Sequence, residues 1–184
     1  MEKLYISILV FIFISLNATI LNSQCIDETH SPFAADAWLS CNTSSGPIPQ
    51  RGENHWIMYD FGQTYTLDSL YIWNYNVWGQ TGSGMKQILI DYSTDQSNWN
   101  TIGPVMLEEA PGSWKYNTPS SINIGNVQAR YFMITAIQTF DPDASCAGLG
   151  EIKITLGSST DVEEIASKED VALYPNPVED ILYL

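Results

Sequence analysis

Between His55 and Trp99 the chain alternates short apolar runs with clusters of Gly, Asn and Ser, and this alternation limits its possible folds more than any other feature. The runs have the length of β-strands and are bounded by turn-forming residues, so we predict successive strands rather than helices. In the last run Ile88, Ile90 and Tyr92 share one face of a strand, and the intervening, largely polar residues share the other. This two-residue period is typical of a half-buried strand.

The same pattern continues towards the C-terminus. We predict further strands over 100–107, 121–124, 129–137 and 151–156. In the last of them apolar residues recur at every second position and should face inward. No stretch of residues 24–157 shows helical periodicity over three turns. We therefore predict an all-β fold, a jelly-roll-like β-sandwich of about eight antiparallel strands.

The charge balance excludes several classes of partner. The chain has 7 Lys plus Arg against 21 Asp plus Glu, which gives a formal net charge of −14 and a pI near 4.1. Nucleic acid binding needs a basic face to meet the phosphates, so the composition argues against it. The same negative charge disfavours docking on anionic lipid. Aromatic residues make up 12% of the chain, which leaves aromatic surface for contact with a partner.

Residues 1–23 are typical of a secretory signal peptide. Lys3 precedes an apolar run from Leu4 to Leu16, and the segment ends in polar residues. The run is short for a membrane span, so we predict export without membrane insertion. We expect the mature chain to begin at Gln24 and to be secreted or held at the outer cell surface.

Three cysteines in an exported protein indicate one disulfide and one remaining thiol. Cys25 with Cys41 would close a loop of roughly 17 residues, worth about 3 kcal/mol in the chain-entropy model. Cys41 with Cys146 is the rival pairing, if the fold brings their loops together. We favour the Cys25–Cys41 disulfide and leave the alternative open.

Three sequence elements together resemble one domain family. They are W-I-x-x-D-F-G from Trp56, S-x-D-x-x-x-W from Ser93, and G-L-G-E-I from Gly148. On these elements the chain resembles the discoidin or coagulation factor V/VIII C-type module, one of the galactose-binding-like β-sandwiches, over residues 24–157. The resemblance implies a non-catalytic module that binds through loops at one end of the sandwich. Carbohydrate is the ligand class that it favours.

The Gly-rich loop after the second apolar run carries the first candidate binding residues. Trp78 lies within it, and Asn74 and Asn76 lie at its root. The C–H faces of sugars stack on indole rings and amides bond to hydroxyl groups, so we predict that these three side chains contact a glycan. The alternative is that Trp78 packs back onto the domain.

Arg51 and His55 directly precede the first apolar run and form a second candidate pair. Both side chains can donate hydrogen bonds to hydroxyl groups. The alternative is that they stabilise their own loop, through an ion pair with Glu53 or a neighbour. Phe140, in the loop over 139–148, is a further aromatic candidate.

The resemblance also implies a structural Ca²⁺ site. Its ligands would be Asp36 in the first long loop and Glu151 at the start of the last strand, with backbone carbonyl groups completing the shell. Hard oxygen ligands from distant segments are what Ca²⁺ requires. Ala37 follows Asp36 where the family usually has Gly. In the alternative, Asp36 caps a turn and Glu151 accepts backbone hydrogen bonds.

The sequence does not predict an enzyme. His30 and His55 are its only histidines, and neither lies in a nucleophile motif. The chain contains no HExxH, no phosphate-binding glycine loop and no CxxC. We therefore expect binding without catalysis.

The C-terminal part of the chain differs in composition from the rest. Residues 158–171 are polar and acidic, as in a linker, and residues 172–184 contain a Y-P-N-P segment from Tyr174 to Pro177. That segment resembles the opening of the C-terminal sorting domain read by the type IX secretion machinery. Only the first strand of such a domain is present, so we interpret the sequence as a piece of a larger surface protein.

These observations predict a non-catalytic module whose partner is a glycan or a cell-surface polysaccharide. The alternatives are a protein–protein adhesion module and an accessory domain of a larger secreted enzyme. An aromatic face beside Arg and His would favour sugar, whereas an apolar loop tip without polar groups would favour adhesion.

Overall fold

The computed structural model describes residues 30–157, 170–173 and 181–183. These residues form strands with only three short 3₁₀ turns, at Ala34–Asp36, Pro49–Arg51 and Thr81–Ser83, which confirms the all-β prediction. The strands are β1 (Trp38–Ser40), β2 (Ser44–Ser45), β3 (Glu53–Asn54), β4 (Trp56–Asn74), β5 (Met85–Ser93), β6 (Asn100–Met106), β7 (Ser120–Thr139), β8 (Ala147–Leu156), β9 (Asp170–Leu173) and β10 (Ile181–Tyr183).

One continuous ladder joins most of the strands, in the order β1-β8-β4-β7-β5-β6. Every pair along this path is antiparallel, as expected for strands connected by hairpins and loops. Two short strands add to its flanks: β9 pairs antiparallel with β8, and β10 pairs parallel with β4. A separate small hairpin joins β2 to β3.

Strands β4 and β7 are much longer than the sequence predicts. Apolar runs that we expected to be separate strands are joined into one strand of 19 residues in β4 and one of 20 residues in β7. Gly62 in β4 has φ 74°, and Gly125 in β7 has φ 82°, a backbone conformation that glycine adopts at little cost. The ladder shifts register between Asp60 and Tyr65, beside Gly62. Such irregularities bend strands, so each long strand contributes its two halves to the two layers of a sandwich.

The core lies between these two layers. The halves of β4 contribute Ile57 and Tyr59 on one side and Leu70 and Ile72 on the other, and all four belong to one buried cluster. Full burial of an aliphatic or aromatic side chain contributes about 1.5–3 kcal/mol of transfer free energy, so this cluster dominates the stability of the fold.

Two predicted inward faces are confirmed in this core. Ile88 and Ile90 of β5, and Ile152 and Ile154 of β8, are each at most 1% exposed. The period-two pattern therefore identified these four buried positions correctly. At the end of β5 it fails, because Asp91 and Ser93 are buried and Tyr92 is only half-buried.

The disulfide joins Cys41 to Cys146, so the predicted Cys25–Cys41 pairing is wrong. Ser40 at the end of β1 pairs with Ala147 at the start of β8. Cys41 follows Ser40 and Cys146 precedes Ala147, so the two cysteines lie opposite each other. Their Cα atoms are 4.0 Å apart. Strand register, which the sequence does not show, decided the pairing. Cys25 lies outside the described residues.

Several predictions concern segments that the structure does not describe. The signal peptide over 1–23 and most of the acidic linker over 158–171 lie outside the described residues, as does the Y-P-N-P segment. Within the described part of the chain, no helix is long and apolar enough to cross a membrane.

Candidate functional site

Long loops gather at one end of the sandwich, which we call the loop rim. It consists of the segments 75–84, 107–119 and 140–146, and antiparallel register places their ends side by side. The pairs that show this are Met85 with Thr139, Gln87 with Met106, Ile72 with Ser120, and Asn74 with Leu149. The N-terminal segment 30–34 joins the rim, because the Trp78 backbone N–H donates to the Pro32 carbonyl at 3.3 Å.

Asn74 is buried at the root of the rim, with 1% of its surface exposed. Its Nδ2 donates to the carbonyl groups of Met85 at 2.7 Å and Glu108 at 3.0 Å. Its Oδ1 accepts from the backbone N–H groups of Tyr75 at 2.9 Å and Met85 at 3.0 Å. This side chain, predicted to contact a ligand, instead joins both ends of the loop over 75–84 to the segment over 107–119.

Asn76 has a similar role and is 2% exposed. Its Nδ2 donates to the carbonyl groups of Ser113 at 2.8 Å and His30 at 3.2 Å, and its Oδ1 accepts from the Ser113 backbone N–H at 3.2 Å. A ligand at the rim would therefore meet the residues that Asn76 positions rather than its amide.

Trp78 is 82% exposed and does not pack back onto the domain. Two more aromatic side chains lie beside it, Phe33 at 58% and Trp114 at 55% exposure. The Phe33 and Trp114 rings meet edge to face with centroids 5.1 Å apart. We call these three residues the aromatic shelf. With neighbouring residues they line a shallow cleft of about 460 Å³; the lining is Pro32, Phe33, Ala34, Val77, Trp78, Gly112, Ser113 and Trp114.

A second cleft at the rim, of about 440 Å³, mixes polar and apolar side chains, and we call it the polar groove. It contains His55, one of the predicted binding residues, and Phe140. Its full lining is Thr43, Asn54, His55, Lys86, Ala136, Ile137, Gln138, Thr139, Phe140, Pro142 and Ala144. Both clefts fall within the size range of sites for small ligands.

His55 is fixed in the groove by a hydrogen bond of 2.9 Å between its Nδ1 and the Ser40 hydroxyl. The Ser40 hydroxyl donates its only proton to the Asn42 carbonyl at 3.1 Å, so it accepts from His55 Nδ1–H. Burial lowers the pKa of His55 from its ordinary value of 6.5, which favours the neutral ring. The remaining nitrogen, Nε2, is then a hydrogen-bond acceptor.

Arg51 forms an ion pair, as in the alternative that we considered, but its partner lies on β5 rather than in its own loop. Its guanidinium lies 2.7 Å from Asp91, and it also donates to Thr101 at 2.8 Å. Asp91 is fully buried, so this ion pair neutralises a charge inside the fold. Arg51 lines neither the groove nor the cleft of the shelf.

The predicted calcium ligands have other contacts. Asp36 is exposed in the 3₁₀ turn before β1. Glu151 lies 2.9 Å from His30 Nδ1, and the His30 ring stacks on Trp73 with centroids 4.3 Å apart. Over the described residues, no three His, Cys, Asp or Glu side chains gather to hold a metal. Two carboxylates, one of them held by an imidazole, fall short of the six to eight oxygen ligands of Ca²⁺, and calcium binding stays a prediction.

Sequence reasoning missed Phe33 and Trp114 as parts of the rim. Each had a local signal, since Phe33 follows Pro32 and Trp114 follows the Pro111-Gly112 turn within a predicted loop. A large aromatic residue in a segment without strand partners is a candidate for exposure. Their proximity to Trp78 depends on tertiary contacts that the sequence does not show.

A model of the F5/8 type C domain family matches residues 22–152. This is close to the module predicted over 24–157. A search of curated proteins found no match.

Several solved structures resemble this chain. CBM32-3 from a family 31 glycoside hydrolase of Clostridium perfringens has 16% identity and a TM-score of 0.49, with 66% of this chain and 75% of that chain covered. CpGH89CBM32-5 from C. perfringens, in complex with GalNAc-β-1,3-galactose, has 12% identity and a TM-score of 0.40, covering 50% and 59%. GH31 CBM32-2 bound to GalNAc has 16% identity and a TM-score of 0.38, covering 52% and 59%. The chain thus spans less than two thirds of the latter two.

Proposed function

The chain belongs to the F5/8 type C domain family, and from this premise we propose that it is a non-catalytic module that binds carbohydrate at its loop rim. The polar groove carries the proposal. Its lining includes Phe140 together with four residues whose side chains can bond to hydroxyl groups: Asn54, His55, Lys86 and Gln138. An aromatic face with a few convergent polar groups is the chemistry that recognises a sugar ring.

The groove offers both hydrogen-bond donors and hydrogen-bond acceptors to a ligand. Lys86 offers donors only, neutral His55 offers an acceptor at Nε2, and Gln138 offers both. The Asn54 Nδ2 already donates to the Arg51 carbonyl, so Asn54 contributes chiefly its Oδ1 as an acceptor. A sugar hydroxyl donates and accepts at once, so it needs such a mixed set. Because Ser40 fixes the His55 ring, the acceptor costs little additional ordering on binding.

We also propose that the module acts outside the cell. The apolar segment over 4–16 supports export, and the Y-P-N-P segment over 174–177 supports recognition by the type IX secretion machinery. These are sequence arguments, and they can be tested by fractionating cells that express the full chain. Recovery of the protein in the cytoplasm with residues 1–23 intact would overturn them.

Calcium binding is a separate proposal. Asp36 and Glu151 would hold the ion with backbone carbonyl groups, and Glu151 would have to release His30 to do so. Melting curves of the full chain with Ca²⁺ and with a chelator test this, since an ion bound only to the folded state raises Tm. Identical curves would retire the site.

The carbohydrate proposal is tested on a glycan array with the full chain and matched variants. Phe140→Ala and Gln138→Ala should each weaken binding about tenfold or more, because each removes a groove contact. Gln128→Ala is the matched control, since Gln128 is exposed on the same strand at the other end of the sandwich. Absence of glycan binding by the unaltered chain, or equal binding by all three variants, would refute the groove.

A further inference from the structure

We propose that the aromatic shelf is a second glycan-contacting surface, and that it makes the module selective for an extended, uncharged polysaccharide over a single sugar. The proposal rests on the proposed function and adds to it the class of ligand. The shelf would stack on the apolar faces of sugar units that follow the one held in the polar groove.

The shelf is built by long-range contacts rather than by chance exposure of three rings. Its members come from segments 30–34, 75–84 and 107–119, which are distant in the sequence. Leaving apolar side chains in water forgoes about 25 cal/mol for each Å² that burial would remove, so three neighbouring exposed rings point to a ligand that covers them.

Asn76 holds the three segments in position. Its buried amide bonds to the backbone of His30 and Ser113, which lie three residues before Phe33 and one residue before Trp114, and Asn76 itself lies two residues before Trp78. One satisfied buried amide thus fixes the base of all three ring-bearing segments. A surface ordered before binding loses little entropy when a ligand arrives.

The lining of the shelf selects for an uncharged occupant. None of the eight residues that line the cleft at the shelf carries a formal charge, and among them Ser113 supplies the only side-chain hydroxyl. Anionic polysaccharides would meet no cation there, and the net charge of −14 would repel them. Pyranose rings with equatorial hydroxyl groups present C–H faces that match such a surface.

The size of the shelf favours a glycan over a protein. A stable protein interface uses about 20–30 residues on each side, whereas eight residues line the cleft at the shelf, three of them aromatic. Three rings suit a few sugar units. A protein partner or a second copy of this chain is therefore an outcome for the experiment to exclude.

The shelf and the groove flank the same 3₁₀ turn, Thr81–Ser83. On the groove side, the Asp141 backbone N–H donates to the Gly82 carbonyl at 2.9 Å, next to Phe140. On the shelf side, Gly112 packs against Thr81 and Trp78. A Cβ atom added to Gly112 would lie 3.2 Å from Thr81 Cγ2 and 3.7 Å from the Trp78 Cα. One polymer chain crossing this turn would contact both surfaces.

The experiment compares chain-length dependence of binding in the full protein and its variants. The probes are monosaccharides and hexasaccharides of neutral β-linked glucan, galactan, mannan, xylan and N-acetylglucosamine, with polygalacturonate and alginate as anionic polymers. We expect at least one neutral hexasaccharide to bind about tenfold or more tightly than its monosaccharide. Trp78→Ala and Trp114→Ala should remove this gain, whereas Phe140→Ala should weaken the binding of monosaccharides and hexasaccharides alike.

Met106→Ala is the matched control, because Met106 is 57% exposed on β6 and lines neither surface. Near-ultraviolet circular dichroism verifies that each variant folds, and sedimentation reports any self-association. A length-dependent gain that survives in both Trp variants overturns the shelf while the proposed function stands, as does tighter binding of the anionic polymers. Loss of self-association in Trp78→Ala with unchanged glycan binding also overturns it. Failure of the unaltered chain to bind any probe overturns both.

Discussion

The two ends of the sandwich differ in how the polar groups of their turns and loops are satisfied by hydrogen bonds. At the end away from the loop rim, turns satisfy their polar groups locally: Asp95 accepts hydrogen bonds from Ser97 and Asn98, two and three residues along the chain. At the loop rim, the amides of Asn74 and Asn76 also reach residues that are 34 and 46 positions away, Glu108 and His30. Hydrogen bonds to near residues use the side chains of the turn itself. Hydrogen bonds to distant residues leave the side chains at the loop tips available for contact.

This difference teaches where a sandwich can acquire a binding surface. A turn that uses its own side chains to satisfy its backbone has none left for a ligand. A long loop whose backbone is held from below by a buried amide keeps Trp78 exposed for contact. The predictions that follow test whether the long-range ties of the rim matter more to the molecule than the local ties of the other end.

Removing the disulfide should have the largest effect on stability. Cys41 and Cys146 are 105 residues apart in sequence, and the chain-entropy model gives about 4.7 kcal/mol for a loop near that length. Cys41→Ser with Cys146→Ser should lower the free energy of unfolding in urea by about 4–5 kcal/mol. Cys25→Ser leaves this bond intact and is the control. If the free energy of unfolding falls by less than about 1 kcal/mol, the stability of the rim does not depend on the disulfide.

Asn74→Ala should have the next largest effect. The substitution strands the buried N–H and carbonyl groups of Met85 and the buried N–H of Tyr75, and each buried unsatisfied group costs about 1–3 kcal/mol. We expect urea unfolding to show a loss of about 3 kcal/mol. Asn123→Ala, at an exposed position on β7, should change stability by less than about 0.5 kcal/mol. Equal effects at the two positions would contradict the comparison.

The two ends should respond to acid in different pH windows, and this effect is the smallest. At the rim, burial lowers the pKa of His55 below 6.5, so stability begins to fall as the pH drops through 6.5 and stops falling below the folded-state pKa. At the other end, the hydrogen bond from Arg130, followed by one from the Gly62 backbone, lowers the pKa of Asp60 below 3.8. That contribution is present above pH 3.8 and is lost as the pH falls through the folded-state pKa.

Thermal melts across this pH range separate the two windows. His55→Gln should abolish the step near neutrality and keep the acid step, whereas Asp60→Asn should keep the step near neutrality and reduce the acid step, to which Asp95 also contributes. A single window shared by both variants would show that the ends are not energetically distinct.

The strands were predictable because their pattern is local. Ile88, Ile90, Ile152 and Ile154 recur at every second position, and the pleat turns that period into one buried face. The continuity of β4 through Gly62 was not predictable, since a glycine among polar residues signals a turn and a bulge equally well. Only the partner strands decide between the two.

The loop rim was predictable in position but not in arrangement. The sequence indicated a binding loop around Trp78, and Trp78 is exposed there. It could not show that Asn74 and Asn76 face inward, because an amide beside a loop suits a ligand and a backbone carbonyl equally. The disulfide prediction was wrong for a similar reason. A short loop favours Cys25 as the partner of Cys41, whereas strand register favours Cys146.

The Cys41–Cys146 bond has a mechanical consequence for a module anchored at one end and tethered at the other. A pull applied before Cys41 and after Cys146 passes from one sulfur to the other and bypasses the polypeptide between them. That intervening length contains the whole polar groove, and Trp78 and Trp114 of the aromatic shelf, so tension along the chain would leave the groove undisturbed on a bound polymer.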